Sequence, residues 1–406
     1  IKRHKEEAPQ GIFSVCSANE FVIESLLEFG TQHDQVVLLE ATSNQVNQYG
    51  GYTGMVASDF VKFVEGIADK VQFSMDKVIL GGDHLGPNPW KNEPAAEAME
   101  KACVLVKEYV AAGFTKIHLD ASMHLGDDGD KNVPLDPKIL AERAAVLCKA
   151  AEEGYQERLQ AVPGAPAPVY VIGTEVPVPG GTQGDDDGLS VTKPEDFHQT
   201  VSVTKEAFLN LGLDEAWQRV VGVVVQPGVE FGDHSIDEYD RQAAAELTKE
   251  LAHYPALVFE GHSTDYQRPE LLREMVEDGV GILKVGPELT FVFREALFLL
   301  EHIEQQTPAL AGAELSNLQN VMEEVMLAQP NNWAPYYKGS EADLKFARKY
   351  SLSDRIRYYW PNPEAVEALE KLLTNLNKVE IPLTLLSQYL PRQYAKVRAG
   401  KLENKP

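Results

Sequence analysis

The chain alternates between short apolar runs and longer segments whose apolar residues recur at helical spacing. Short apolar runs are typical of buried strands, and strands that alternate with helices indicate parallel βαβ units. Eight units of this kind close a (β/α)8 barrel within about 250 residues plus insertions. The pattern therefore predicts a TIM barrel over residues 1–305, with a doubly wound open sheet as the alternative. The eight runs lie at 11–18, 36–41, 78–87, 116–122, 169–176, 220–228, 256–263 and 281–288.

Residues 306–406 have a different pattern. They contain helical segments and two aromatic stretches, NNWAPYYKG and KYSLSDRIRYYWPN. We expect a helical extension packed on the barrel, in which the aromatic rings fill a core or an interface. Arg355 and Arg357 are the candidates for an anion contact in this part, because guanidinium groups match phosphate geometry.

Most of the predicted strands end in polar side chains, and the active sites of TIM barrels lie at this end of the strands. The third run, VILGGDHLGP, ends in Asp83 and His84. An acid beside an imidazole could be a general base next to a metal ligand, or only a surface turn. The other strand ends supply Ser17, Glu40, Asn44, Gln45, Asp120, Glu175, Gln226, His234, His262, Ser263, Asp265 and Lys284.

Imidazoles combined with a carboxylate form a common catalytic ligand set for Zn²⁺, Mn²⁺, Co²⁺ or Ni²⁺. The predicted ligands are His84, Glu175, His234 and His262, with Asp120 or Gln226 as substitutes. Asp83 is then free to move a proton. His118 lies within a strand, where we expect packing or internal hydrogen bonds rather than metal binding. Lys284 is expected to neutralise Glu175 or Asp120 rather than to form a Schiff base.

Composition excludes several classes of function. The net charge of -25 argues against nucleic acid or an anionic membrane as a partner. No stretch is apolar over the roughly 20 residues that a membrane span needs, and the charged first residues do not predict a signal peptide. Three separated cysteines, Cys16, Cys103 and Cys148, suit a reducing cytoplasm. No phosphate-binding loop, dinucleotide fingerprint or serine elbow occurs, so no pattern indicates a kinase.

Several longer motifs carry a family resemblance from about His4 to Lys401. They are EATSNQVNQYGGYTGM, ILGGDHLGPNPW, KIHLDASM, VIGTEVPVPGG, VVQPGVEF, HSTDYQ, LKVGP and SLSDRIRYYWP. With them, the chain resembles the Z-type subunit family of D-tagatose-1,6-bisphosphate aldolase (GatZ/KbaZ). The resemblance implies a partner that a catalytic Y-type subunit needs for stability and full activity. Other relatives resemble metal-dependent 4-epimerases of ketohexoses or their 6-phosphates.

A more distant similarity to class II aldolases implies particular roles. It makes Asp83 the base, His84 a metal ligand and Glu175 the glutamate of the fifth strand. The motif EGHS resembles their His-Gly-Gly-Ser, although matching the serines aligns Glu260 with the metal-binding histidine. The motif KVGP resembles their Lys-Val-Asn, with Gly286 in place of the asparagine.

We therefore expect one of two functions, with a sugar-phosphate sensor or binding protein without turnover as a third alternative. The first is metal-dependent C4 epimerisation of a ketohexose, such as tagatose or fructose, or of its 6-phosphate, through reversible C3–C4 aldol cleavage. Asp83, Glu175 and Asp120 would be catalytic. The second is a non-catalytic subunit that stabilises and activates a class II D-tagatose-1,6-bisphosphate aldolase. We also expect a homo-oligomer. The predicted substrate contacts are Ser17, Glu40, Asn44, Gln45, Gln226, Ser263, Asp265, Lys284, Arg355 and Arg357.

Overall fold

The computed structural model describes residues 9–131, 133–174 and 189–406. It divides into two compact units, one ending at Gly286 and the other spanning Pro287–Pro406. The first unit contains a closed barrel of eight parallel strands, which confirms the predicted fold. The strands in chain order are β1 Ile12–Cys16, β2 Val37–Thr42, β3 Val78–Leu85, β4 Lys116–Leu119, β5 Val169–Ile172, β6 Val220–Val225, the short pair β7 Glu230–Phe231 and β8 Ile236–Asp237, β9 Val258–Gly261 and β10 Val280–Val285.

Strands β7 and β8 form a separate antiparallel ribbon in the segment after β6. The sequence pattern did not predict it. In the described part of this unit, the helices are α1 Glu20–His33, α2 Ala57–Val71, α3 Ala95–Ala112, α4 Pro137–Ala161, α5 Pro194–Asn210, α6 Asp214–Trp217, α7 Ala245–Glu250 and α8 Pro269–Glu277.

Between the sixth and seventh predicted strands, where the alternation predicts a helix, residues 237–251 are only partly helical. Only α7 forms as an α-helix there, and Asp237 belongs to the ribbon. The Asp240 carboxylate accepts hydrogen bonds from the backbone amides of Gln242 and Ala243, at 2.8 and 3.3 Å. An aspartate side chain that binds nearby amides favours a turn over a helix interior, and this explains the difference.

Alternation along the strands places an apolar layer below a charged layer inside the barrel. Leu38, Val258 and Ile282, from three different strands, share one buried cluster with Val171 and Val224. Because side chains on one face of a strand recur every second residue, the next inward residues on those three strands lie one layer higher. These residues are Glu40, Glu260 and Lys284, and all are buried.

The third strand does not end at its two glycines but continues through Leu85. Its register with β4 shifts between Gly82 and Leu85, and His84 has a φ of 45° within this bulge. Such a backbone conformation in a residue other than glycine costs about 1–3 kcal/mol and is enriched at functional sites. A Cβ on Gly81 would lie 2.6 Å from Glu40 Oε1, so this glycine makes room for a buried carboxylate.

The second unit is helical in its described regular structure and has its own core. Leu318, Met322, Tyr359 and Leu372 are among the buried residues of that core. Helix α9, Pro287–Gln306, lies almost entirely within the range 1–305 predicted for the barrel but falls in this unit. Packing of the extension on the barrel stays a prediction. Across the described residues, each helix is too short or too polar to cross a membrane. The helices are α9 Pro287–Gln306, α10 Leu318–Ala328, α11 Glu341–Tyr350, α12 Pro363–Asn377, α13 Leu383–Tyr389 and α14 Pro391–Arg398.

Candidate functional site

Three imidazole rings meet at the carboxyl end of the barrel. His84 lies in the bulge of β3, His118 lies on β4 and His262 directly follows β9. The ring centroids of His84 and His262 are 4.9 Å apart, and both are 5.2 Å from the ring of His118. All three side chains are buried. The carboxyl ends of neighbouring parallel strands therefore bring together residues that are far apart in the sequence.

Each imidazole has a carboxylate partner. The pairs are His84 Nδ1 with Asp120 Oδ2 at 2.8 Å, His118 Nδ1 with Asp83 Oδ1 at 3.0 Å, and His262 Nε2 with Glu260 Oε1 at 3.0 Å. Carboxylates in this position orient a ring and select its tautomer, as they do for metal-binding histidines. The other nitrogen of His118, Nε2, is buried and makes no hydrogen bond to any described residue.

The carboxylates give two of these imidazoles different charge states. Burial opposes protonation of His84, but the charges of Asp83 and Asp120 outweigh it and raise the pKa of His84. Burial lowers the pKa of His262 to about 3, and the hydrogen bond that its ring donates to Glu260 offsets this only in part. His262 is therefore neutral at physiological pH, which is the form of histidine that binds metals.

Two buried lysines connect the carboxylates of the charged layer. Lys116 Nζ lies 2.7 Å from Glu40 Oε1 and 2.6 Å from Glu260 Oε2. Lys284 Nζ pairs with the other oxygen of Glu40 and lies 2.6 Å from Asp83 Oδ1. Lys284 thus forms ion pairs as expected, but with Glu40 and Asp83 as its partners. Both lysines and both glutamates are buried, so these four groups hold each other beneath the imidazoles.

The charges of this cluster do not balance. Four buried carboxylates, those of Glu40, Asp83, Asp120 and Glu260, meet only two lysine ammonium groups. A protonated His84 offsets one of the two excess negative charges. A bound divalent cation would offset both of them with His84 neutral. Ligand atoms of Asp83, His118, Glu260 and His262 all lie within 4.8 Å of one another. Two imidazoles and two carboxylates are donors that Zn²⁺, Mn²⁺, Co²⁺ and Ni²⁺ accept, so the residues fit a divalent metal.

This set of four differs from the ligands predicted from sequence. His262 is common to both sets, while His84 lies beside the four groups and is bonded to Asp120. His234 is exposed in the segment between β7 and β8. Glu175 lies outside the described residues. Sequence reasoning set His118 aside and left Glu260 out of the predicted ligands, although matching the EGHS motif aligned Glu260 with a metal-binding histidine. The spacing that makes Val258, Glu260 and His262 share one face of a strand could have identified Glu260.

Lys116 is the other residue that sequence reasoning missed. It begins the motif KIHLDASM, two residues before His118 and four before Asp120. Alternation along β4 places these three side chains on the same face. The charged residue at the start of the strand was therefore a detectable signal, although its glutamate partners were not.

Several predicted substrate contacts instead shape their own loops. The Gln45 side chain accepts a hydrogen bond from Thr42 N at 2.8 Å, and Ser17 Oγ accepts one from Asn19 N at 3.2 Å. Gln226 Oε1 accepts from Gly228 N and Val229 N, at 2.9 and 3.0 Å. Asn44 is half-buried in the same loop as Gln45.

The remaining predicted contacts lie in two different surroundings. Asp265 is buried, and its Oδ1 accepts a hydrogen bond from Gly286 N at 2.9 Å. Ser263 follows His262 and has a φ of 53°. In the second unit, the buried Arg355 donates to Asn332 O and stacks over the Tyr336 ring, and Arg357 donates to the carbonyl oxygen of Asp354 at 3.1 Å. Roles of these residues in substrate binding stay predictions.

The barrel and its buried cluster of acids, imidazoles and lysines define a TIM-barrel protein with a candidate active site at the carboxyl ends of the strands. The family model of the D-tagatose-1,6-bisphosphate aldolase subunit GatZ/KbaZ-like matches residues 1–406. The chain belongs to this family, which confirms the resemblance seen in its motifs.

Individual relatives are similar over almost their full length. The D-tagatose-1,6-bisphosphate aldolase subunits GatZ of Salmonella paratyphi B and Salmonella typhimurium are each 50% identical to the chain, covering 100% of it and 93% of the relative. The crystal structure of a probable tagatose 6 phosphate kinase from Sinorhizobium meliloti 1021 is 46% identical and has a TM-score of 0.87. That match covers 98% of this chain and 95% of the solved one.

Proposed function

We propose that the chain catalyses C4 epimerisation of a ketohexose or its 6-phosphate by reversible aldol cleavage. The observation that supports this most is the unbalanced cluster at the barrel mouth, where four ligand atoms converge and the carboxylates outnumber the lysines. Burying such charges is costly, and replacing buried ion pairs by apolar residues often leaves a protein as stable or more so. A scaffold has no structural reason to keep this arrangement.

Asp83, His118, Glu260 and His262 would hold a divalent cation, which supplies Lewis-acid activation of the ketone. As a ligand, Asp83 would not be free to act as the base. Burial raises its pKa, but the charges of His84 and Lys284 outweigh this and lower it, which also makes Asp83 a weak base. His84 has a raised pKa and a ring oriented by Asp120, so its neutral form, which a bound cation would favour, is the stronger base.

His84 would take the proton of the C4 hydroxyl. The electron pair of the C3–C4 bond then moves onto the C2 carbonyl, giving an enediolate and an aldehyde. Rotation of the aldehyde presents its other face, the C3–C4 bond re-forms, and His84 returns the proton to the C4 oxygen. Atoms and charge balance, and C4 is inverted. Glu175 remains the alternative base proposed from the sequence.

The test uses the purified full chain with fructose, tagatose and their 6-phosphates. Each sugar is incubated after chelation and again with Mn²⁺, Ni²⁺, Zn²⁺ or Co²⁺, and the epimers are separated by chromatography. We expect metal-dependent interconversion. A substrate deuterated at C4 should retain its label, because aldol cleavage leaves the C4–H bond intact. Absence of conversion with every metal and sugar would contradict the proposal, and loss of the label would contradict the mechanism.

The names of the relatives favour a second function. Proteins 50% identical to this chain are named as aldolase subunits, which fits a non-catalytic partner of a class II D-tagatose-1,6-bisphosphate aldolase better than an epimerase. Coexpression with a Y-type aldolase subunit tests it. A stable complex with raised aldolase activity would support this function, and Asp83→Ala with His84→Ala should then leave the stabilisation intact. Failure to copurify would contradict it.

A further inference from the structure

The ribbon of β7 and β8 is fastened to the loop that carries His262. The Gln267 side chain accepts a hydrogen bond from Tyr239 N at 3.0 Å and donates one to Asp237 O at 2.9 Å. The rings of Phe231 and Tyr266 meet edge to face, with their centroids 5.3 Å apart. The ribbon therefore contacts the loop of residues 262–267 through both backbone and side chains.

This loop has a backbone conformation that its own residues do not favour. Ser263 and Tyr266 have φ values of 53° and 62°, in the left-handed region that residues other than glycine rarely adopt. The same loop is tied to β10, because Thr264 donates to Lys284 O from its amide and its hydroxyl, at 3.2 and 2.7 Å. The positions of His262 and Lys284 thus depend on a loop that needs support from its neighbours.

Glu230 supplies a polar part of that support from the ribbon. Its side chain is buried, accepts a hydrogen bond from Phe231 N at 3.0 Å, and is hydrogen-bonded to the Ser263 side chain. The carboxylates of Asp265 and Asp237 also face it, and burial raises the pKa of Glu230 to about 7. No step of the proposed chemistry uses this carboxyl group, so its burial beside the site requires another explanation.

We propose that Glu230 is a positioning residue that holds Ser263, and through it the adjacent His262, in the geometry of the barrel site. The ribbon then serves as a brace for the loop of residues 262–267. The kinetic consequence rests on the proposed function, whereas the consequence for loop structure does not. Loss of the brace should lower kcat more than it raises KM, because His262 would be misplaced while the other contacts remain.

The experiment compares Glu230→Ala with Glu230→Gln, which keeps a hydrogen-bonding side chain of the same size. Asp237→Asn is the matched control, since it removes a nearby carboxylate at the opposite position of the ribbon. Hydrogen exchange of the amides of residues 262–267 is measured for each full-length protein. We expect exchange at least about tenfold faster in Glu230→Ala, and within about twofold of wild type in the other two.

Kinetics provide the second measurement. We expect kcat to fall about 10- to 100-fold in Glu230→Ala, the range seen when groups that orient metal ligands are removed, and to recover in Glu230→Gln. In a Ser263→Ala background, Glu230→Ala should have little further effect, because the two side chains act in one chain of contacts. Unchanged exchange in Glu230→Ala, or additive effects of the two substitutions, would overturn the proposal. Absence of epimerase activity would contradict only the proposed function. The hydrogen-exchange result would still test whether the ribbon supports the loop of residues 262–267.

If Glu230→Ala fails to fold, Ser263→Ala replaces it in both measurements. It removes the same hydrogen bond from the other side and should accelerate exchange of the loop amides. If the loop amides of Ser263→Ala exchange at the wild-type rate, the proposed role of this hydrogen bond is contradicted.

Discussion

Both units of the molecule bury charged side chains, but they do so in different ways. In the second unit, Arg348 pairs with Glu323 at 2.7 Å and Glu341 at 3.0 Å, and its guanidinium lies 4.6 Å from the centroid of the Trp333 ring. In the barrel cluster, by contrast, the cations are Lys116 and Lys284, and neither lysine is among the cation–π contacts of the described residues.

Arginine stacked on an aromatic ring can be buried at modest cost, because the guanidinium is weakly hydrated and the ring attracts its charge. Such a group stabilises a core without creating a binding site. The barrel cluster instead has an excess of carboxylates and ligand atoms that converge on one point. Buried charge alone therefore does not indicate function. An excess of buried charge of one sign, together with lone pairs that converge on one point, does indicate a functional site.

The largest effect is expected from removing a candidate ligand. His262→Ala and His118→Ala should each lower kcat/KM at least about 10³-fold, because Lewis-acid activation is worth several kcal/mol and about 1.4 kcal/mol corresponds to a factor of ten. Metal affinity, measured by isothermal titration calorimetry with Mn²⁺ or Zn²⁺, should fall in parallel. The comparison between the units predicts that no substitution of a second-unit arginine has this effect on affinity.

Two further variants test the choice of ligands. His253→Ala is the matched control, since this histidine is 70% exposed and pairs with Glu250 rather than with a residue of the cluster. His234→Ala separates the two ligand sets, because His234 was predicted from sequence and is exposed in the structure. Loss of affinity in His234→Ala but not in His118→Ala would favour the ligands predicted from sequence over the four that converge in the barrel.

The next largest effect should come from the lysines beneath the site. Lys116→Met leaves Glu40 and Glu260 with less compensation for their burial, and breaking a buried ion pair in this way costs about 3–5 kcal/mol. We expect this loss in the free energy of unfolding, measured by urea denaturation with a signal from the barrel. Lys116→Met combined with Glu40→Gln should recover part of it. Stability unchanged by Lys116→Met would mean that the cluster tolerates unbalanced charge.

The barrel was predictable because its signal is local. Each strand is a short apolar run, and each run lies within a few residues of the strand observed. The histidine cluster was predictable in part, since parallel strands place their carboxyl ends at one rim. The sequence could not show the ion pair between Glu40 and Lys284, which are 244 residues apart and meet only because the first and last barrel strands close the barrel.

Two other features depend on irregular backbone, which periodicity does not reveal. The partnership of His84 with Asp120 follows from the bulge in β3, where the register shifts. Glu230 lies in a ribbon of two residues per strand, too short to produce an alternating pattern. Residues placed by bulges and short ribbons therefore escaped prediction, whereas residues placed by regular strands could be inferred.

Glu230 is a buried acid that faces the carboxylates of Asp265 and Asp237, and its titration should make stability depend on pH. Folding raises the pKa of this carboxyl from 4.5 to about 7, mainly by burial. Between these values the folded protein binds more protons than the unfolded chain, so this group makes stability fall as pH rises. Glu230→Gln should remove that slope, which amounts to about 3 kcal/mol at most.

The measurement is urea denaturation of both proteins between about pH 5 and pH 8. The difference in unfolding free energy between variant and wild type should grow in favour of the variant as pH rises. Asp237→Asn removes a charge that faces Glu230 but leaves the Glu230 carboxyl in place. This variant should retain most of the fall in unfolding free energy with rising pH. A difference that does not change with pH would show that Glu230 has the same pKa in the folded and unfolded chains.

The smallest effect is expected in the second unit, and it tests the comparison most directly. Arg348→Met keeps an apolar stem over Trp333 and removes a guanidinium that pairs with Glu323 and Glu341. Glu341 is largely exposed, so water can solvate it after the change. We expect a loss of about 1–3 kcal/mol in unfolding free energy, with metal affinity and kcat/KM within about twofold of wild type. Arg348→Lys should fall between the two proteins in stability, because an ammonium keeps the charge without the paired hydrogen bonds. A loss of metal affinity in Arg348→Met comparable to that of His262→Ala would mean that an ion-paired arginine stacked on an aromatic ring also supports the site. The distinction between the two kinds of buried charge would then fail.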